Sequence, residues 1–301
     1  MIKNLLKSTF SRLKKLIYRF FINFDEKIVM LIKENRSILI PVDFSKQSLI
    51  SIQQTYNLAK YTKSKLILMH THPDNDYKKD LHDLAAKTSQ ESGLHVMALN
   101  VCGDLYNQTD IKAKEMDCSL IVVGLDTQIR FRSFFGGSNV SKFLKNAPCP
   151  VMTMRSVDNR NACKNIIMPI DLSPETREKV PIVVQMAHYY GADIKIISVF
   201  NPNDEKYENE LLPYLNQIKK YIKDKGLNCT NKSIPSVHVP ETIIEYANKN
   251  NGDLIIQMNK RDLSIGEMFG KALSLRIVES SNIPVLTINP MIRQSISSSI
   301  H

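Results

Sequence analysis

No stretch of this 301-residue sequence approaches the roughly 18 consecutive apolar residues of a membrane-spanning helix. The longest uninterrupted apolar run near its start, residues 28–32, is also too short for the core of a secretory signal. Cysteine is sparse: Cys102, Cys118, Cys149, Cys163 and Cys229 are scattered, odd in number and free of any C-x-x-C pair. That pattern does not suit a disulfide framework. It fits a reducing cytosol, with each thiol expected to serve as a small buried hydrophobe. Basic clusters are missing from most of the chain. Residues 1–36 hold nine Lys and Arg against three acids, so six of the ten net positive charges fall there and four on the remainder. A body so nearly balanced gives little electrostatic footprint for nucleic acid.

The hydrophobic fraction of 43% and charged fraction of 23% are those of an ordinary globular protein. Within that composition lies an internal repeat. Residues 38–45 (ILIPVDFS) recur as 166–173 (IIMPIDLS), and residues 59–68 align with 187–196 at the same offset of 128. Residues 119–123 (SLIVV) align with 253–257 (DLIIQ), and Pro150-Val151 with Pro284-Val285, now at an offset of 134. The expected organisation is a basic leader (1–36), a first domain (37–155), a second domain (162–290) and a flexible tail (291–301), with a short polar linker near residues 155–163.

Each copy alternates strands with helices. Residues 37–42 are a short Ile/Leu/Val run, suited to a strand buried on both faces. Over residues 45–61, Leu49, Ile52, Tyr56 and Ala59 recur at helical spacing, with Ser45 as N-cap. Strands follow at 65–71, 95–101, 120–124 and 150–154, and helices at 77–92, 105–116 and 138–146, the second helix closed by Gly93. The second copy repeats this plan from residue 164 to 288. Strands separated by helices imply crossovers and a mostly parallel sheet, so the expected fold class is α/β: two five-stranded, doubly wound, Rossmann-like domains in tandem behind an N-terminal amphipathic helix.

Ligands of open parallel sheets bind outside the carboxyl ends of the strands, near the switch in strand order. Asp43 and Asp171 stand at that end of the first strand in each copy. Gly124 ends the fourth strand, and a twelve-residue loop leads to Gly137-Ser138 at a helix start. A glycine turn before a helix supplies backbone N–H groups and a positive dipole end, a cradle for phosphate.

These residues carry a family resemblance. The segment Val42-Asp43-Phe44-Ser45 resembles the opening strand of the universal stress proteins, and Leu68-Met69-His70-Thr71 their second strand. Cys102-Gly103-Asp104 resembles the turn before their third helix, and residues 147–151 (APCPV) their approach to the last strand. Their ATP signature is Gly, two residues, Gly, nine residues, then Gly with Ser or Thr. Gly124, Gly137 and Ser138 fit it, while Thr127 stands in place of the second glycine. In the second copy Met258, Arg261, Lys271 and Ala272 occupy the four positions, so that site is expected to be degenerate. The resemblance implies a cytoplasmic stress-response or signalling protein, not an enzyme beyond a weak ATPase activity. It implies binding of ATP or a related adenine nucleotide, with Mg accompanying it, chiefly in the first domain. Pro41, Val42, Asp43 and Thr71 would lie toward adenine and ribose; Gly124, Thr127, Gly137, Ser138 and Asn139 would lie toward the phosphates. It also implies that the two domains pair as an intramolecular pseudo-dimer through their last strands, with further homodimerisation open.

Other patterns stay open beside this one. His70 and His72 alternate on one strand face, yet a metal needs a third ligand, with only Asp74 and His82 near in sequence. In residues 1–24, Ile2, Leu5, Leu6, Phe10, Leu13, Leu16, Ile17, Phe20, Phe21 and Phe24 recur at helical spacing between six Lys and Arg and no acid. Such a helix suits an anionic membrane surface, a protein partner or the chain's own core. The alternative function is a nucleotide-independent interaction module docked through this leader.

Overall fold

The computed structural model describes residues 32–71, 77–125, 137–155, 162–259 and 273–290. The expectations for the leader helix, the tail after residue 290, His72, Asp74, Thr127, Arg261, Lys271 and Ala272 lie outside the described residues.

The first half runs β1 (Ser37–Pro41), α1 (Lys46–Thr62), β2 (Lys65–Thr71), α2 (Lys78–Ser92), β3 (Val96–Val101), α3 (Leu105–Glu115), β4 (Cys118–Gly124), α4 (Gly137–Asn146) and β5 (Val151–Met154). The second runs β6 (Asn165–Ile170), a 3-10 turn (Pro174–Arg177), α5 (Val180–Tyr190), β7 (Asp193–Phe200), α6 (Tyr207–Asp224), β8 (Cys229–Pro235), α7 (Val239–Lys249), β9 (Leu254–Met258), α8 (Leu273–Ser280) and β10 (Val285–Ile288).

The ten strands among the described residues form one sheet, in the order β3-β2-β1-β4-β5-β10-β9-β6-β7-β8. Every neighbouring pair is parallel except β5 and β10, which pair antiparallel with Met152 opposite Leu286. Antiparallel pairing at this one seam lets the last strand of each half satisfy the other's edge. Thr153 reinforces the seam by donating its hydroxyl to the Val285 carbonyl at 3.3 Å.

Local sequence sets the ends of the helices. Ser45 caps α1 by accepting from the Ser48 amide at 3.3 Å, which satisfies one of the orphan N–H groups of the first turn. Gly93 closes α2 and Gly191 closes α5, both with φ in the left-handed region that a Cβ disfavours.

Buried strand residues alternate between the two faces of the sheet. Leu39, Ile67, Met69, Ile121 and Val123 belong to a core with Tyr106 and Ala113 of α3 and Val140 and Phe143 of α4. That core continues across the seam through Val151 and Val285 to α7 and α8, which contribute Ile243, Ala247, Leu275 and Val278. Ile38, Ile40, Leu66 and Leu68 are equally buried and point the other way by strand alternation. Each fully buried side chain of this size contributes about 1.5–3 kcal/mol of hydrophobic free energy.

Two expectations change. The cysteines are not uniformly buried: Cys118 and Cys163 are, Cys149 and Cys229 are half-buried, and Cys102 is exposed. The second half also departs from the first after its opening strand. Where α1 starts directly beyond Ser45, the matching chain after Ser173 forms a 3-10 turn, and α5 begins only at Val180. In the first half a Cβ on Gly124 would come within 2.4 Å of the Gln47 carbonyl oxygen, so α1's first turn rests directly on that glycine. In the second half a buried Met258 stands at the matching position, and α5 carries Pro181 in its first turn, where a proline's missing N–H leaves no helical bond unmade.

Candidate functional site

The switch in strand order of the first half falls between β1 and β4. In an open parallel sheet that edge, beyond the carboxyl ends of β1 and β4, is where a crevice for ligands is expected. Asp43 follows β1 and is exposed. Its Oδ1 accepts from the Ser45 amide at 3.0 Å, an Asx turn that aims the chain into α1. Between them, Phe44 is held at φ 61°. On the far side of the crevice, β4 ends at Gly124, in van der Waals reach of α1's first turn. The register Pro41 opposite Met69, carried two residues further, sets Thr71 level with Asp43.

The sequence-predicted site residues thus divide into groups. Asp43 and Gly124 flank the start of α1, and Thr71, half-buried, ends the neighbouring strand. Gly137, Ser138 and Asn139 form the first turn of α4, whose leading amides lack intrahelical partners as in any helix. Pro41 and Val42 are buried. Val42 donates its amide to the Met69 carbonyl at 2.7 Å and accepts from His70 Nδ1 at 2.6 Å, so its polar atoms are engaged in fixing the turn. Gly124 has a packing role that its place in a phosphate signature did not disclose. The donor set suits an anionic ligand bearing a hydroxylated ring: a carboxylate at one strand end and helix starts with free leading amides.

Sequence reasoning missed an aromatic cluster beside Asp43. The Phe44 and His70 ring centroids lie 5.2 Å apart, Phe44 and Tyr77 5.4 Å with 27° between planes, and His70 and Tyr77 5.0 Å. These rings come from three separate segments, and no periodicity links them. One ring nitrogen of His70 is committed to the Val42 carbonyl, which sets His70 in the turn's scaffold.

The same place in the second half is filled by side chains. Asp171 Oδ1 accepts from the Ser173 amide at 2.9 Å and from the Ser173 hydroxyl. The Asp171 amide donates to Thr176 Oγ1 at 3.3 Å, and Lys179, only 3% exposed, donates to that hydroxyl at 3.0 Å. Beyond Met258, Asn259 Nδ2 donates to Asn289 Oδ1 at 2.9 Å, and Ser274 Oγ donates to Asn259 Oδ1 at 3.1 Å. Asn289 in turn donates to the Ala147 carbonyl at 3.1 Å, which ties this network to the end of α4. An exposed aspartate turn in one half corresponds to a packed polar cluster in the other.

Residues 34–155 match the model of the universal stress protein family. A universal stress protein from Archaeoglobus fulgidus DSM 4304 is 14% identical over 86% of this chain and 98% of its own, with a TM-score of 0.69. A protein of Pseudomonas aeruginosa UCBPP-PA14 assigned to the universal stress proteins is 19% identical over 87% of this chain and 95% of its own, with a TM-score of 0.66. No curated protein matches the sequence. The protein is an α/β protein of the doubly wound class, with two such units sharing one sheet. Residues 34–155 are thus a universal stress protein domain, and over most of its length the chain has the fold of the two solved structures.

Proposed function

We propose that the first half binds an adenine nucleotide, ATP or a close relative with Mg accompanying it, and that the second half is its structural partner. In this reading the protein acts in the cytoplasm as a stress-response or signalling component that holds nucleotide without turning it over. Asp43 and Thr71 face the base and ribose, and Gly124 with the first turn of α4 faces the phosphates. One observation carries the reading: Asp43 is exposed at the end of the first strand, whereas its counterpart Asp171 is half-buried and its turn is engaged by Thr176, which the buried Lys179 also contacts. An anion meeting oriented N–H groups at a helix start is stabilised by the dipole and the unsatisfied amides together.

Mass spectrometry of small molecules released from freshly purified, quantified protein tests this. About one equivalent of an adenine nucleotide per chain supports a single live site, and two equivalents contradict the division between halves. Ser138→Ala and Gly137→Val both weaken ATP binding in calorimetry if the phosphate assignment holds. Unchanged affinity in both variants would sink that assignment. A protein that neither carries nor binds nucleotide is better read as an interaction module acting through its leader.

A further inference from the structure

We infer that Asn289 of the second half is a positioning residue for the ligand site of the first. Across the seam it fixes the carboxyl end of α4, the helix whose first turn is assigned to the phosphates, and in this the inference rests on the site reading above. A line of side chains leads to that point. Ser274 Oγ donates to Asn259 Oδ1 at 3.1 Å, and Asn259 Nδ2 donates to Asn289 Oδ1 at 2.9 Å. Asn289 Nδ2 then donates to the Ala147 carbonyl at 3.1 Å. Each donor points the same way, from the start of α8 to the end of α4, so the amides of Asn259 and Asn289 polarise one another along the line. At its origin Gln257 Nε2 holds the Ser274 carbonyl at 2.8 Å and Thr287 Oγ1 at 3.1 Å.

The first half has no such line. At the repeat offset of 134, Gln257, Asn259 and Ser274 correspond to Val123, Leu125 and Val140, all members of the apolar core. Gln257, Asn259 and Ser274 are buried as well. Polar groups in such places give up hydration and persist where their hydrogen bonds are made. The second half therefore carries three polar side chains where the first packs hydrocarbon, and the line they form ends on the other half. Ala147 is buried, and its own amide donates to the Phe143 carbonyl at 2.9 Å, so the clamped carbonyl belongs to the last turn of α4. That helix has ten residues, Gly137–Asn146, and a length of about 15 Å. A helix so short moves as a rod, and a hold on one end sets the other. Val140, Phe143 and Leu144 seat it on the core, but apolar burial is non-directional. The bond from Asn289 adds the direction that burial lacks.

Calorimetric titration of the full chain with ATP, and displacement of ATP by adenosine, test the clamp, with circular dichroism to show that each variant is folded. Asn289→Leu keeps the size of the side chain, removes the donor to Ala147, and is expected to weaken ATP binding about three- to tenfold, the scale of one hydrogen bond. Adenosine has no phosphate for α4 to meet and is expected to keep its wild-type affinity in that variant. Thr153→Val removes a side-chain bond elsewhere at the seam and is expected to keep the wild-type ATP affinity. Asn289→Ala supplies the test if Asn289→Leu does not fold. Wild-type ATP affinity in the folded Asn289 variant overturns the clamp and leaves the site reading standing. Equal losses of ATP and adenosine in that variant also overturn it, as does the same loss of ATP in Thr153→Val, because the seam would then have loosened as a whole. A wild-type protein that binds no ATP removes the site reading, and the clamp with it.

Discussion

Adding one methyl group at Gly124 tests how the first half is built. Gly124→Ala places a Cβ 2.4 Å from the Gln47 oxygen, 2.5 Å from the Gln47 carbonyl carbon and 2.7 Å from the Ser48 nitrogen. All three contacts are with backbone, so no side chain can swing away. The first turn of α1 must move by roughly 1 Å to restore ordinary packing distances. Its anchors resist: Ile52, Leu58 and Ala59 are buried on the same helix, and Ser45 caps it. Overpacking of this kind costs about 1–3 kcal/mol. The loss of glycine's freedom in the unfolded chain returns about 0.4–1 kcal/mol. The expected net destabilisation is about 1–2 kcal/mol, a fall in Tm of about 2–8 °C for a chain of this size. Urea unfolding read by circular dichroism measures it as a lowered midpoint at constant slope. The displaced turn also carries Asp43, so ATP affinity should fall in the same variant. A variant with an unchanged midpoint would refute the close approach as the reason for glycine here.

Two further outcomes follow from buried polar groups. Burial raises the Asp110 carboxyl on α3 to about 7, so between about pH 4 and 7 the folded protein holds a proton that the unfolded chain has released. Its contribution to stability is therefore lost as pH rises through that window. Asp110→Asn should be more stable than wild type at pH 8 and nearly equal at pH 4 in urea unfolding, and the opposite order would reverse the sign of the argument. Lys179→Met removes the buried donor to Thr176 and should lower stability by about 1–2 kcal/mol. The same variant should leave ATP affinity unchanged; a large loss on titration would place a live site in the second half.

Much of this molecule is legible in its sequence. The repeat, the alternation of strands and helices, the Ser45 cap and the Gly93 stop are local signals, read from residue spacing and backbone preference, and β2 falls at Lys65–Thr71 as expected. The position of Asp43 at the carboxyl end of β1 and of Gly124 at that of β4 was legible too, because both follow the apolar runs that form those strands. The role of Gly124 was not, since the contact that requires a glycine joins residue 124 to residue 47. The repeat likewise suggested that the second half copies the first. Instead α5 begins at Val180, later than the repeat implies, with Pro181 in its first turn.

The sequence by itself determined which segments become strands and helices, and that there are two sets of them, because hydrophobic period and capping act within a few residues along the chain. Tertiary structure alone decided which aspartate turn is packed by a buried lysine's partner, which rings meet beside Asp43, and which thiols are buried. Those outcomes depend on close packing between residues distant in sequence, where a single Cβ or a buried lysine determines whether space remains.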